Sequence, residues 1–301
     1  MKVAITGSNG LIARHLKEKL HEANHELMMF KRVDSSQDQP KDSLWWDPYN
    51  AVAHIPKDLG IDAVIHLGGE PVASKRWNVA LKSKIYASRV YGTRGIVEAM
   101  AEIDNPPNIF ISASAVGYYG DRSSEVLTES SDSGTGFLAT VCRDWEAVAQ
   151  GAQNVQIRTC LLRTGLVLAK DGGVLPKITA PFKAWVGGRL GDGKAYMAWI
   201  HIDDHVGAIM HLLSDSEAIG AYNLVGPAPA TNREFTKSLG SAMSRPALLN
   251  IPSFALELML GDEMAHETVL ASQNAYPKRL LDAGFHFRYS ELDAALKSLL
   301  L

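Results

Sequence analysis

The chain has 301 residues, a net charge of −3, 46 % apolar residues and 21 % charged ones. This is the balance of a globular protein able to bury one large core or two smaller ones. The lack of any basic run excludes nucleic acid and acidic membrane surfaces as partners. Its two cysteines, Cys142 and Cys160, suggest neither a disulfide framework nor a metal site, and no apolar run approaches a membrane span. The sequence opens directly in a strand, leaving no room for a signal peptide, so a cytoplasmic location is expected.

Val3, Ala4 and Ile5 read as a short buried strand, and Thr6-Gly7-Ser8-Asn9-Gly10 as a tight turn. Leu11 to Leu20 then reads as an amphipathic helix, with Leu11, Ile12, Leu16 and Leu20 near one face. A strand feeding a Gly-rich turn at a helix N-terminus is a dinucleotide-binding corner, where free N–H groups and the helix dipole meet a pyrophosphate. Gly7 would permit the turn, Gly10 would admit phosphate to the main chain, and Ala13 would sit where helix meets strand. Gly7, Ser8, Asn9, Gly10, Leu11 and Ile12 are therefore the expected cradle, in the spacing Gly-x-x-Gly-x-x-Ala rather than Gly-x-Gly-x-x-Gly. His25 to Phe30 reads as the second strand and ends at Lys31-Arg32. A carboxylate there would bind the 2′-hydroxyl of NAD, whereas a basic residue accommodates the 2′-phosphate of NADP. Lys31 and Arg32 favour NADP. His21-Glu22-Ala23-Asn24-His25 has the spelling of a zinc-protease motif. Asn24 is a helix terminator and His25 opens the strand, however, so the rings should diverge and no metal is expected.

Residues 33–60, with Trp45-Trp46 in their middle, read as one long polar connection. Ala63 to Leu67 is a buried strand running into Gly68-Gly69, a second place for close approach to the cofactor. A long helix over Ser83–Glu102, a strand at Ile109–Ser114, a polar loop to Gly136, a helix over Phe137–Gln150 and a strand at Val155–Leu162 follow. Strands alternating with helices at this spacing predict an α/β, doubly wound parallel sheet of Rossmann type. Beyond residue 165 the rhythm changes. A Lys170–Gly173 turn, an apolar helix around 174–186, a Gly-rich loop and a buried strand at Met197–Ile202 come first. A helix capped by Asp203 or Asp204 and a strand at Tyr222–Val225 follow, then a Thr231-x-x-Glu234 capping box opening a helix to about Ser244. Two more helices lie near Ser253–Leu260 and from Glu291 behind Ser290-x-x-Asp293. The expected division is an NADP-binding domain at 1–165 and a smaller substrate-side region at 166–301, some of whose segments return to the main sheet.

With these residues in place, the chain resembles the extended short-chain dehydrogenase/reductase superfamily. The marks are the Thr6–Ala13 turn, His66-Leu67-Gly68-Gly69, Ile111-Ser112-Ala113-Ser114, Tyr119-Gly120, Thr128-Glu129 and Trp199-Ile200-His201-Ile202-Asp203-Asp204. More narrowly it is similar to the atypical, YfcH-like NAD-dependent epimerase/dehydratase family proteins. Ala115–Gly120, Phe137-Leu138-Ala139 with Trp145-Glu146, and Pro277–Leu280 with Ala283-Gly284-Phe285 carry that likeness, and the group ends in a segment of unknown function, here about 248–297. The resemblance implies that His66, Leu67 and Gly68 border the cofactor, as do Lys84 and Arg89 on the long helix. Ser114 takes the slot of the superfamily's catalytic serine. Its Tyr-x-x-x-Lys pair is absent, the slot holding Phe137 and Val141 instead. Tyr119, or Tyr118 beside it, is the nearest replacement phenol, and it would need Arg122 or cofactor charge to become useful.

The function expected is that of an NADP(H)-dependent oxidoreductase or epimerase acting on a small polar or sugar-nucleotide-like substrate, with Ser114 and Tyr119 handling the proton. The rival is a non-catalytic NADP(H) sensor or scaffold, because the Tyr-x-x-x-Lys pair is missing. No Gly-x-Ser-x-Gly elbow exists to favour a hydrolase. A small-molecule substrate is the expected partner, with neither nucleic acid nor membrane, and a homodimer is left open.

Overall fold

Six segments rich in aliphatic and β-branched residues pair as one parallel sheet in a computed structural model of residues 1–301. They are β1 (Lys2–Thr6), β2 (Glu26–Met29), β3 (Ala63–His66), β4 (Ile109–Ala115), β5 (Arg158–Thr164) and β6 (Gly220–Leu224). Their spatial order is β6-β5-β4-β3-β1-β2. The chain leaves β1 for β2 on one side, then crosses back to β3 on the other. That reversal opens a crevice at the carboxyl ends of β1 and β3, where such sheets bind ligands. Every residue of β3 is buried, as expected of a strand covered on both faces.

Helices α1 (Leu11–Glu22), α2 (Val79–Ala101), α3 (Phe137–Gln150), α4 (Leu175–Lys183), α5 (Ile202–Ser214) and α6 (Asn232–Met243) come next in order. The C-terminal run adds α7 (Ser253–Leu260), α8 (Asp262–Glu267), α9 (Lys278–Asp282) and α10 (Leu292–Leu300). Leu16 and Leu20 of α1 and Ile209 of α5 pack on one sheet face with Val3 and Ile5. Ile96 and Met100 of α2 pack on the other with Val64 and Phe110. A separate core joins Phe182, Trp199, Phe235 and Leu296. No helix is long and apolar enough to cross a membrane.

Several local expectations are corrected. Residues 33–60 are not one connection. Lys31–Arg32, Trp45–Asp47 and Val52–His54 form a small three-stranded sheet, and Trp46 is a core residue whose Nε1 donates to the Gly92 carbonyl at 2.9 Å. The strand expected at Val155–Leu162 starts only at Arg158, after a single tight helical turn over Gly151–Val155. Neither Asp203 nor Asp204 caps α5. His201 does, its Nδ1 accepting from the Asp203 N–H at 3.0 Å, while Asp204 accepts from the Arg288 and Tyr289 N–H groups and so anchors the tail. The last helix starts at Leu292, one residue later than expected, with Glu291 at its N-cap and no side-chain cap. The Thr231–Glu234 box is present in both directions. α1 stops at Glu22 and Asn24 turns left-handed at φ 58°, so His21 and His25 share no helix face.

Candidate functional site

The Gly-rich turn lies at the reversal of the sheet. Gly7 has φ 65°, and a Cβ on it would come within 2.9 Å of the Gly68 main chain, so the two glycines let β1 and β3 end side by side. A Cβ on Gly68 would run into the Trp46 indole. Thr6 Oγ1 accepts from the N–H groups of Leu67 and Gly68, each at 3.1 Å. Its own proton then goes to His66 Nδ1 at 2.7 Å, which leaves the imidazole hydrogen on Nε2, a buried atom without a hydrogen-bond partner, in a ring edge-to-face with Trp46. Burial holds His66 neutral, down to about 3. His66 is expected to border the cofactor, and its side chain faces away from solvent. The ring is fully buried and shapes the turn from beneath.

No side chain caps α1 and no acidic residue lies in its first turn, so its N–H groups and positive dipole end point into the crevice. Gly7, Gly10, Leu11, Ile12 and Leu67 line a cleft of about 340 Å³ there, facing Ala113 and Thr164. A narrow floor of glycine main chain under an uncapped helix end fits a pyrophosphate. Ser8 and Asn9 complete the turn, half-buried and exposed respectively.

Lys31 and Arg32 are exposed at the edge beyond β2. Arg32 is held in place: its Nη2 donates to the Tyr49 hydroxyl at 2.6 Å, which donates to Glu70 Oε2 at 2.9 Å. Arg89 anchors on the Glu70 carbonyl at 2.9 Å and lies 5.3 Å above the Trp145 ring, against Gly69. Lys84, one turn earlier on α2, is exposed and makes no ion pair. The fold thus gathers the turn and Leu67 about one crevice, with Gly68 packed beneath it against Gly7 and Trp46, and Arg89 beside Gly69.

Ser114 Oγ donates to Glu146 Oε1 at 2.6 Å, and Arg163 grips the same carboxylate through Nε at 2.9 Å and Nη2 at 2.8 Å. Both partners of this ion pair are about 5 % exposed. Arg163 Nη1 also donates to the Tyr119 hydroxyl at 3.1 Å, and its guanidinium lies 3.5 Å from the Tyr118 ring centroid. Ser114 and Tyr119 so belong to one network, but Tyr119 is placed otherwise than a proton donor to substrate requires. Its hydroxyl is enclosed by Asn223 Oδ1 at 2.7 Å and the Thr128 carbonyl at 3.0 Å, and the residue is fully buried. Burial pushes the phenol up to about 12, against the pull of Arg163. Arg122 does not assist it, being paired with Glu125 at 2.7 Å.

Beyond the cleft lies a second cavity of about 600 Å³, lined by 25 residues of which 16 are hydrophobic. The two share Thr164, Gly165, Leu166 and Val174, so the end of β5 is their common border. There Thr164 Oγ1 meets His205 Nε2 at 3.0 Å, and burial holds His205 down to about 3. The sequence does not mark Glu146, Arg163, Thr164 or His205 as site residues, although Trp145-Glu146 belongs to the family likeness. The signal available for the first two is complementary charge, Glu146 on a helix and Arg163 beside Leu161 and Leu162 in a buried strand. The far wall of the chamber includes Leu260, Met264 and Thr268 from the C-terminal run. The Glu267 carboxylate there accepts from the Phe137 and Leu138 N–H groups at 2.8 and 2.7 Å, capping α3.

The NAD dependent epimerase/dehydratase family matches residues 3–225, and a domain of unknown function (DUF1731) matches residues 251–299. An epimerase family protein of Mycobacterium leprae is 39 % identical over 295 residues, covering 98 % of this chain and 94 % of that one. Epimerase family protein SDR39U1 of Bos taurus is 32 % identical over 304 residues, covering 100 % of both. The crystal structure of human epimerase family protein SDR39U1 with NADPH has a TM-score of 0.88 and 29 % identity, covering 100 % of this chain and 99 % of that one. The chain belongs to the NAD dependent epimerase/dehydratase family.

Proposed function

We propose that this member of the epimerase/dehydratase family is an NADP(H)-dependent oxidoreductase or epimerase. One observation carries the reading: an uncapped helix end over a glycine floor adjoins, across Thr164–Leu166, a chamber large enough for a small-molecule substrate. The human relative crystallised with NADPH supports the choice of cofactor, as does the basic pair Lys31 and Arg32. Bound NADP(H) supplies or accepts the hydride. The α1 N–H groups hold the pyrophosphate, Lys31 and Arg32 the 2′-phosphate, and Lys84 and Arg89 further polar groups of the dinucleotide.

Ser114 is the proton-handling residue of this reading. Its hydrogen already points at Glu146, so its oxygen, on a residue 4 % exposed next to Ala113 of the cleft, keeps lone pairs for a substrate hydroxyl. A proton leaving that hydroxyl passes to Ser114 Oγ as the serine proton moves to Glu146, and Arg163 holds the carboxylate in position throughout. Tyr119 has no part in the step. The test is consumption of NADPH, followed at 340 nm across carbonyl compounds, together with epimer formation from sugar nucleotides. Turnover lost in Ser114→Ala supports the assignment, and turnover unchanged in that variant refutes the role of Ser114. The second reading, an NADP(H) sensor without catalysis, is favoured by Phe137 and Val141 in the acid/base slot. Tight NADPH binding without turnover over the whole panel selects it.

A further inference from the structure

We propose that the substrate is an uncharged, largely apolar ketone, aldehyde or the corresponding alcohol, and that the C-terminal segment supplies the wall that selects it. This rests on the oxidoreductase reading and names its substrate class. The reaction takes one carbonyl compound, one hydride from NADPH and one solvent proton (H⁺). It yields the alcohol and NADP⁺, the carbonyl carbon being reduced and the nicotinamide oxidised.

The chamber beside the cleft is the reason. Its 16 apolar lining residues include Val116, Phe182, Met197, Phe235 and Met264. Lys177 is the one charged residue among the 25, and it is exposed at the rim. A nucleoside diphosphate brings two or more negative charges into its site and needs several cationic or N–H partners there. The chamber does not offer them. Arg189, Arg233, Lys237 and Arg245 line a different cavity, which shares only Thr236 with the chamber. The polar groups inside are few. Asn232 is already committed, its Oδ1 accepting from the Leu190 N–H at 2.7 Å. Tyr196 and Gln273 line the chamber and leave a phenol and a carboxamide to orient one polar function. An apolar lining with one or two convergent polar groups is the pattern of a site for a small neutral molecule.

The C-terminal segment, matched by a domain of unknown function, is what encloses this space. Leu260 of α7 and Met264 of α8 face the chamber, as do Thr268 and Val269 just beyond. Two contacts fasten that wall to the cofactor side. Glu267 caps α3, and Lys82 of α2 pairs with Glu263 at 2.5 Å. A Cβ on Gly136 would meet the Glu267 carboxylate at 2.9 Å, so the chain leaves room for this contact. Unbranched Met264 suits a wall that must fit ligands of varied outline.

The experiment measures binding first, on full-length protein loaded with NADPH, using 2-alkanones from butanone to octanone and UDP-glucose as the probes. Affinity is expected to rise about 4-fold for each added methylene that enters the chamber. UDP-glucose should neither bind nor compete. Leu260→Arg, at a half-buried position of α7, should weaken the longest ketone by at least about 10-fold, since a charge would enter an apolar wall. It should leave NADPH affinity unchanged, which reports that the variant is folded. Affinity flat with chain length, or ketone displaced by UDP-glucose, overturns the proposal. NADPH oxidation is then followed separately. Ketone binding that rises with chain length but gives no turnover supports the apolar assignment and overturns the redox reading alone.

Discussion

The dinucleotide cleft is made of main chain and the chamber beside it of side chains. At the cleft the decisive features are missing atoms: no Cβ at Gly7 or Gly68, and no cap on α1. At the chamber they are the bulk and polarity of residues drawn from α4, α6, α7 and α8. A site built from backbone is intolerant of one added methyl but indifferent to the chemistry of most neighbouring side chains. A site built from converging side chains behaves in the opposite way. It accepts swaps of similar volume, at a cost of about 1.5 kcal/mol or less, and so can change its ligand without changing its fold. The difference puts the cofactor cleft in the half that tolerates least change and the proposed substrate chamber in the half that tolerates more.

The comparison can be broken most directly at Gly7. In Gly7→Val the side chain would collide with the Gly68 main chain from a left-handed φ, so NADPH affinity should fall by more than about 100-fold. Fluorescence titration with NADPH checks this, and a fall below 10-fold would mean that the turn does not hold the pyrophosphate. Arg32→Ala sharpens the same half. Losing a charge-assisted contact should weaken NADPH by about 10- to 100-fold and leave NADH almost unchanged, as measured by parallel titrations.

A third prediction concerns both halves together. His66 beneath the cleft and His205 behind Thr164 are each held at about 3 by burial, far below the ordinary imidazole value near 6.5. The unfolded chain therefore takes up protons that the folded chain refuses. Their stabilising contribution is complete above pH 6.5 and is lost as the pH falls toward 3. Each imidazole contributes a slope of up to about 1.4 kcal/mol per pH unit in that window. Thermal melts between pH 7 and pH 4 should show it, and His66→Asn should make the decline shallower. Least costly is Glu267→Gln, which weakens the cap joining the C-terminal wall to α3. A loss of about 1 kcal/mol is expected, read as a lower Tm with unchanged NADPH affinity.

The same contrast explains what could be read from the amino acids alone. The turn at Thr6–Gly10, the strand ends at Lys31-Arg32 and Gly68, and the helix Phe137–Gln150 are local signals, each written within a few residues. Trp46 was misplaced because strands of two or three residues are too short to show alternation, and its burial depends on Gly68 and Gly92, which are remote in the chain. Tyr119 looked available because Asn223 and Arg163, which enclose it, lie 104 and 44 residues further on. The chamber was invisible for the same reason. Val116, Leu166, Phe182 and Met264 carry no common spacing, and only the tertiary fold makes them neighbours.

The chain order of these parts has one more consequence. All six strands and the glycine turn precede residue 225, whereas α7 and α8 begin after residue 252. On a ribosome adding about 5–20 residues per second, the cleft emerges several seconds before the wall that encloses the chamber. During synthesis, then, the place for the dinucleotide exists while the proposed substrate chamber still stands open. The nascent protein acquires its cofactor cleft before it acquires the wall proposed to select a substrate.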